Sequence, residues 1–252
     1  MDLIYNQYRK RKGKISVENS VDNRFNGSDS IGEIVANYPG ASKLFKEKRI
    51  DFCCGGDRPL SAVLLQQNIE AKSFIEKLNQ MNAQANKGTN HDVNWLEVSN
   101  MDLIDHVVTT HHIYLKKELP LLSVFVYKIL RIHGANHREL SKLHELFNLM
   151  KIEIDQHLIE EEENVFPIIR EYELNSSPRI YNQISNSIFI LEADHSGIGD
   201  FLNEMRVVTH DYALPPEACR TYTLTYQKLE ELEADMFQHI HLENNILFPR
   251  FT

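Results

Sequence analysis

The C-terminal three-fifths of the chain repeats apolar residues at helical spacing with few interruptions. Breakers of helical structure fall at 134, at 175–178 and at 215–216. Because the connections between the long segments are short, consecutive helices are expected to run antiparallel. An unbroken 3-4-3-4 spacing, typical of the seam of a packed helix, runs through His112, Leu115, Leu119, Leu122, Val126 and Ile129. The pattern predicts an all-α protein with an up-down-up-down four-helix bundle, its helices spanning about 100–133, 136–173, 179–210 and 217–249.

A smaller helical unit precedes the bundle. Ser30 followed by Glu33 has the form of a capping box at the start of a short helix. A second short helix is expected over 41–48, and Pro59 begins a third helical segment. The sequence Cys53-Cys54-Gly55-Gly56 interrupts this region. We therefore predict a small helical domain built around a cysteine loop.

The breakers also set the expected domain boundaries. Only 10 Gly and 8 Pro occur among 252 residues, so each cluster of breakers is informative. The expected organisation is a flexible, partly basic leader over 1–27, the small helical domain over 28–80, a linker rich in Asn, Gly and Thr over 81–98, and the bundle over 99–252.

Composition excludes several classes of protein. No apolar run approaches the ~20 residues that span a bilayer, and no apolar segment follows the basic residues near the N-terminus as it does in a secretory signal. The formal net charge of −9 disfavours nucleic-acid binding. Three cysteines are too few for a disulfide framework. We expect a cytoplasmic protein with neither a nucleic-acid nor a membrane partner.

An internal repeat accounts for part of an unusual total of 12 histidines. The segments that begin at His157 and His239 share the spacing H-x3-E-x4-F-P and lie 82 residues apart. Residues four apart on a helix lie on one face, so each segment presents an imidazole and a carboxylate to the same point. The repeat indicates two similar helical hairpins with similar ligand sets.

The turns place four histidines at one height. In an antiparallel bundle two residues are level when they are equidistant from the turn that joins their helices. The midpoints between successive histidines at 112, 157, 195 and 239 fall at 134.5, 176 and 217, on or beside the three turns. With the glutamates of the repeat, the predicted metal ligands are His112, His157, Glu161, His195, His239 and Glu243.

The ligand types favour a pair of iron ions. Two carboxylates that bridge two ions, with imidazoles as terminal ligands, suit iron in a bundle interior. Zinc needs fewer ligands and no second ion, whereas manganese stays open on ligand type alone. Six protein ligands shared by two ions leave positions for an oxo or hydroxo bridge and for a small molecule such as O2 or nitric oxide.

Other histidines and acids near the predicted site are assigned ordinary roles. His133 keeps the phase of His112 but is about 31 Å away along a straight helix, which rules out a shared centre. His111 is the second choice for the ligand from its helix, about 100° off the seam. We expect a solvated acidic face for Glu160, Glu162 and Glu163, and either imidazole orientation or surface placement for Glu192 and Asp194.

Cys53 and Cys54 are the candidate catalytic residues. Adjacent cysteines do not readily form a disulfide across a trans peptide, and the glycines after them are expected to expose the thiols. A helix N-terminus near Pro59 would lower the thiol pKa. Iron or nitrosyl handling, or redox sensing, is favoured over a tight structural turn. Cys219 is expected to be an inert core or boundary residue.

These features together resemble the repair of iron centres (RIC) family of di-iron proteins, which join a Cys-Cys domain to a hemerythrin-like bundle. The resemblance covers roughly 28–252 and implies the same iron ligands that the spacing predicts, together with an oxo- and carboxylate-bridged di-iron centre. It also implies a cytoplasmic stress-response protein that restores damaged iron–sulfur clusters by supplying iron or by reducing nitric oxide. The most specific matching segments are Asp51-Phe-Cys-Cys-Gly-Gly56, Leu103-Ile-Asp-His106, His157-x3-Glu161 and 239–250.

Three functions stay open at this point. The leading hypothesis is a cluster-repair protein with iron–sulfur client proteins as partners, in which Cys53 and Cys54 transfer iron or nitrosyl groups. An enzymatic variant is a di-iron nitric oxide reductase. The alternative is a hemerythrin-like carrier or sensor of O2 or nitric oxide, which would need no exposed thiols. The oligomeric state also stays open, with a homodimer among the options.

Overall fold

The computed structural model describes residues 24–85 and 93–252. Within these ranges the secondary structure is helical, with one isolated antiparallel bridge between Ser30 and Pro59. The predicted all-α class is therefore confirmed. Most of the predicted leader and part of the predicted linker, at 1–23 and 86–92, lie outside the described residues.

Four short helices form the N-terminal unit: α1 (Ile31–Asn37), α2 (Ala41–Glu47), α3 (Leu60–Gln66) and α4 (Ala71–Ala85). Ser30 caps α1 as its spacing predicts, since its hydroxyl accepts a hydrogen bond from the Glu33 amide. A separate apolar core, which includes Phe45, Phe52 and Phe74, holds the unit together.

The helical segment after Pro59 differs from its prediction in three ways. It is split in two, because Asn68 adopts the left-handed conformation with φ of 56° between α3 and α4. Leu65, one of the apolar periodic residues, is 80% exposed. In addition, α4 extends to Ala85, into the stretch that composition assigns to the linker.

The bundle has four long helices, named A to D here. Helix A joins α5 (Asn100–His106), π1 (Val107–His112) and α6 (Ile113–His133); helix B joins α7 (Glu139–Glu160), π2 (Glu161–Val165) and α8 (Phe166–Leu174). Helix C is α9 (Pro178–Val208), and helix D joins α10 (Arg220–Leu242), π3 (Glu243–Leu247) and a 3-10 turn (Phe248–Arg250). Here π1 to π3 are π-helical segments. Helix B packs against A and C, and D packs against A, as in an up-down-up-down bundle.

Two apolar clusters fill the bundle, one toward each end. The first runs from Leu115 to Ile129 on helix A and from Leu229 to Ile240 on helix D, among others. The second includes Leu103, Phe166 and the C-terminal Phe248. All of these side chains are essentially buried. Between the two clusters every helix carries polar residues at the same level.

The N-terminal unit is joined to the bundle by an asparagine held between two glycines. The Gly32 amide donates to the Gly56 carbonyl at 2.7 Å, and the Asn245 side chain lies against both glycines. A Cβ on either glycine would lie 2.1 Å from Asn245 Oδ1. The Asn245 amide donates to the carbonyls of Phe52 and Cys53 at 3.2 and 3.1 Å. The absence of side chains at these glycines lets the cysteine loop approach helix D.

Across the described residues, none of the helices combines the length and apolar character that crossing a bilayer requires.

We expect Gly56→Ala to weaken the attachment of the cysteine loop to helix D. The new methyl group would overlap Asn245, which should lower the free energy of unfolding by about 1–3 kcal/mol. Urea denaturation followed by circular dichroism measures the change.

Gly197→Ala is the matched control. A Cβ at Gly197 would have no atom within 4 Å, and alanine favours a helix by about 0.5–1 kcal/mol relative to glycine. We therefore expect Gly197→Ala to leave the free energy of unfolding unchanged or slightly higher. If Gly56→Ala does the same, the attachment of the cysteine loop does not depend on the missing side chain at Gly56.

Candidate metal centre

Six ionisable side chains form a closed layer between the two apolar clusters of the bundle. Helices A and C each contribute one histidine, and helices B and D each contribute a histidine and a glutamate one turn later. All six residues are 2% exposed or less. They are the residues that the spacing predicts, brought together by the fold: His112, His157, Glu161, His195, His239 and Glu243.

The layer divides into two groups of four ligands that share both glutamates. Glu161 and Glu243 belong to both groups. The first group also contains His112 and His239, and the second also contains His157 and His195. In each group the ligand atoms lie within 4.8 Å of one another. The Nε2 atoms are 3.2 Å apart in the first group and 2.9 Å apart in the second. Histidine Nε2 atoms lie 3.2–3.4 Å from glutamate oxygens.

These separations and the missing hydrogen bonds fit bound metal ions. Both carboxylate oxygens of Glu161 and of Glu243 are buried without a hydrogen-bond partner among the described residues, which is costly unless a cation neutralises them. Neighbouring ligands on a metal with bonds of about 2.1 Å are about 3.0 Å apart when they meet at a right angle. The donor set of imidazole and carboxylate suits transition-metal ions.

Three of the four ligand-bearing helices have a π-helical segment at the site. His112 ends π1, while Glu161 and Glu243 begin π2 and π3. A π segment adds one residue to a turn and is frequent at functional sites. Helical periodicity does not predict these segments, although both π2 and π3 end directly before a Phe-Pro pair, whose proline has no amide hydrogen to donate. The Phe-Pro pair of the internal repeat therefore indicates in the sequence where these π-helical segments end.

The second nitrogen of three ligand histidines faces a polar partner. His112 Nδ1 lies 2.7 Å from Glu162, and His195 Nδ1 lies 2.7 Å from the side-chain oxygen of Asn244. His157 Nδ1 is 3.5 Å from Asp194, an ion-pair distance. Such partners fix the tautomer and leave Nε2 free to bind a metal. The prediction of a solvated face is therefore wrong for Glu162, which is also paired with Lys116 at 2.7 Å.

The electrostatics of the layer favour negative carboxylates. Burial opposes the charged form of His157, but Glu161 and Asp194 outweigh it and raise the pKa of His157 to about 10. The pKa of His112 is raised by the same balance of burial against carboxylates. Burial would raise the pKa of Glu243, but His239 and His195 outweigh it and hold that pKa well below the usual range. The carboxylates thus stay anionic, and a bound metal ion would displace protons from His157 and His112.

The remaining histidines of interest lie outside the two ligand groups. His111 bonds Asp235 at 2.9 Å, and its ring stacks on that of His239 at 5.5 Å, so it supports a ligand face and is not itself in the layer. His133 lies near the turn after helix A, where its Nε2 is 3.3 Å from Cys219 Sγ. Cys219 is half-buried at the start of α10.

The cysteine loop is less exposed than predicted. Cys53 is 2% exposed and Cys54 is half-buried, with their sulfur atoms 3.7 Å apart. The hydrogen bond with Cys54 and burial raise the pKa of Cys53 well above its usual value, contrary to the lowering expected from a helix N-terminus. The Asp51 carboxylate fixes the loop by accepting hydrogen bonds from the amides of Cys53, Cys54 and Gly55.

The same loop contacts the residues around a ligand histidine. Cys54 Sγ donates to the His195 carbonyl at 3.4 Å. The Asn244 side chain, which holds His195 Nδ1, lies 3.5 Å from the Cys53 carbonyl through its amide nitrogen. Cys53 and Cys54 therefore lie beside the layer of six side chains but belong to neither of its two groups.

Comparison with known families agrees with this two-part layout. The family model described as the Hemerythrin HHE cation binding domain matches residues 103–251. A second model, ScdA_N, described as a domain of unknown function, matches residues 27–82. The two matches cover the bundle and the N-terminal unit, so the bundle is a metal-binding domain by family as well as by its donor set.

Curated relatives match across both parts. The iron-sulfur cluster repair protein ScdA of Staphylococcus epidermidis is 34% identical over 228 residues, which is 89% of this chain and 98% of the relative. A probable iron-sulfur cluster repair protein of Haemophilus influenzae is 33% identical and covers 87% of this chain and 95% of its own length. The iron-sulfur cluster repair protein YtfE of Salmonella paratyphi B is 29% identical, with coverage of 87% and 94%.

We expect Glu162→Ala to weaken metal binding although Glu162 is not in the ligand layer. Loss of the carboxylate frees the His112 ring to rotate and lowers its basicity, which for comparable supporting residues costs about 10- to 100-fold in metal affinity. Competition with a chromophoric chelator measures the affinity.

Glu163→Ala is the control, since Glu163 is the exposed next neighbour in π2. Equal affinities for the two variants would show that Glu162 does not position His112.

Proposed function

The chain belongs to the iron–sulfur cluster repair family, and from this we propose that it restores damaged iron–sulfur clusters with the help of a di-iron centre in its bundle. Its relatives with that name match nearly their whole length, including the segment that holds the cysteine loop. The metal-binding character of the bundle is given by its family. The identity of the metal as a pair of iron ions is our proposal.

One observation carries the proposal of a pair: both glutamates belong to both ligand groups. Two carboxylates with four buried and unpartnered oxygens, placed between two pairs of imidazoles, suit two ions bridged by glutamate. A single ion could use only part of this donor set. Carboxylate bridges with terminal histidines are the arrangement that helical bundles use for di-iron centres.

The residues of the chain have separable tasks in this proposal. His112, His157, His195 and His239 would hold the ions through Nε2, and Glu161 and Glu243 would bridge them. The iron pair would supply exchangeable metal and one-electron chemistry. Glu162 and Asn244 orient two of the imidazoles, and the apolar clusters on either side limit access of water to the layer. Free thiols at Cys53 and Cys54 suit work in the reducing cytoplasm.

Iron content tests the di-iron centre. We expect about two iron ions per chain, and we expect Glu243→Leu to lose most of both because a shared ligand is removed. Inductively coupled plasma analysis gives the metal content, and circular dichroism checks that the helices persist. Glu160→Leu, an exposed neighbour of the layer, should keep both ions. A folded wild-type protein that binds a single zinc ion would refute the proposal.

Repair itself can be measured on a hydratase whose [4Fe–4S] cluster has been damaged by peroxide or nitric oxide. We expect the iron-loaded protein to restore hydratase activity and the metal-free protein to restore little. Cys54→Ser should reduce the repair rate with iron content unchanged if the thiols transfer iron or nitrosyl groups. Cys219→Ser, remote from the layer, is the matched thiol control. Equal repair with and without bound iron would contradict iron supply.

Reduction of nitric oxide is a second candidate activity, favoured because six protein ligands leave two iron ions with free positions. Two ferrous ions would supply the two electrons that convert two nitric oxide molecules and two protons into nitrous oxide and water. Gas chromatography after mixing the diferrous protein with nitric oxide detects the product. The absence of nitrous oxide in a single turnover would leave iron supply as the repair activity.

A further inference from the structure

A cleft of about 240 Å³ opens between the N-terminal unit and helices C and D, and the two thiols are among its lining residues. Lys46 and Arg49 line it from the segment at the end of α2, and Arg206 lines it from helix C. Gly199 adjoins Cys54, where an added Cβ would touch the sulfur at 3.5 Å. The glycine leaves space beside the more exposed of the two thiols.

The carboxylates of the cleft are mostly engaged by other groups. Glu233 accepts two hydrogen bonds from Arg206 Nε, at 2.6 and 2.7 Å. Asp51 is occupied by three backbone amides and by the Cys53 thiol. The exposed Glu230 adds one further negative charge at the edge.

Lys46 differs from the two arginines because it has no carboxylate within 4 Å in the part of the chain that the structure describes. Its ammonium donates to the Ala234 carbonyl at 3.1 Å and lies 6.0 Å from the centre of the Phe52 ring. Arg206 is paired with Glu233, and Arg49 with Asp211. Burial lowers the pKa of Lys46, and nearby Glu233, Asp235 and Cys53 offset this only in part. A half-buried ammonium without an anionic partner would be stabilised by the carboxylate of a ligand.

The rim of the cleft includes residues with a left-handed backbone conformation, which residues other than glycine rarely adopt. Arg49 has φ of 55° and its partner Asp211 has φ of 61°, within a turn where His210 and Tyr212 are also left-handed. Such conformations cost energy and persist where the surrounding contacts impose them. Here they place Asp211 between Arg49 and Arg206, so the charged rim has a defined geometry.

We propose that this cleft binds a small thiol compound that bears a carboxylate, with the carboxylate at Lys46 and the sulfur at Cys54. The proposal rests on the function proposed above, because it supplies the cysteine pair with a partner. A thiol compound is favoured because the two thiols in the cleft can exchange with the sulfur of a small disulfide.

The reaction that this binding allows is thiol–disulfide exchange at Cys54. When the compound arrives as its disulfide, the Cys54 thiolate attacks one sulfur; a new S–S bond forms to Cys54 and the original S–S bond breaks. The released thiolate takes up the proton that Cys54 lost, and no external electrons are needed. In the reverse direction, the small thiol returns Cys54 to its reduced form. The cleft would thus keep Cys54, beside the ligand layer, in its reduced form.

Three small disulfides of similar size test the inference on the full-length, iron-loaded protein in a Cys219→Ser background. Dithiodipropionate has carboxylates, hydroxyethyl disulfide is neutral and cystamine has ammonium groups. Mass spectrometry follows the mixed disulfide at Cys54. We expect Lys46→Gln to slow the reaction with dithiodipropionate roughly threefold to fivefold, to leave hydroxyethyl disulfide unchanged and to speed cystamine. Lys46→Arg should largely restore the wild-type rate with dithiodipropionate.

Lys48→Gln is the matched control, because Lys48 is exposed nearby and does not line the cleft. The inference is overturned if Lys46→Gln changes the three rates equally or not at all, or if Cys54 reacts with no probe until the protein is unfolded. Iron content and hydratase repair are measured on the same samples. Failure of repair with the charge selectivity intact would refute the proposed function and not the cleft.

Discussion

Two glutamates buried in the middle of an apolar bundle are the feature on which the rest of the structure depends. Their oxygens have no hydrogen-bond partner in the described chain, and four imidazoles converge on them from all four helices. Without cations this arrangement would place charged and polar groups in an apolar interior at high cost. The level of the turns, the phase of each helix and the supporting contacts of Glu162 and Asn244 all serve to bring these six side chains to one place.

The N-terminal unit is attached at the side of this layer and not at a distant surface. Asn244 and Asn245, which directly follow Glu243, contact a ligand histidine and the carbonyls of the cysteine loop. The loop can approach because Gly32 and Gly56 have no side chains. The cysteine pair and the surroundings of His195 are therefore connected through a few hydrogen bonds.

Sequence patterns predict the layer well because it depends on regular geometry. Helical periodicity and the positions of a few breakers are enough to set the heights of His112, His157, His195 and His239. The features that the sequence does not reveal depend on contacts between distant segments. Glu162 lies in an acidic run typical of a solvated face, yet it meets His112 across 50 residues. Cys53 is buried because the cysteine loop packs against an apolar cluster of the bundle, and the π segments reflect local widening that helical periodicity does not report.

The position of the ligand layer between two separate apolar clusters has a consequence for the life of the protein in a cell. Cations that bind only the folded bundle stabilise it by mass action, and the ligand layer lies between the two apolar clusters. A chain synthesised when metal is scarce would lack this stabilisation at the ligand layer, and the bundle would open there more often. Because proteases degrade transiently opened chains, the amount of this protein would follow the metal supply of the cell without any change in its synthesis.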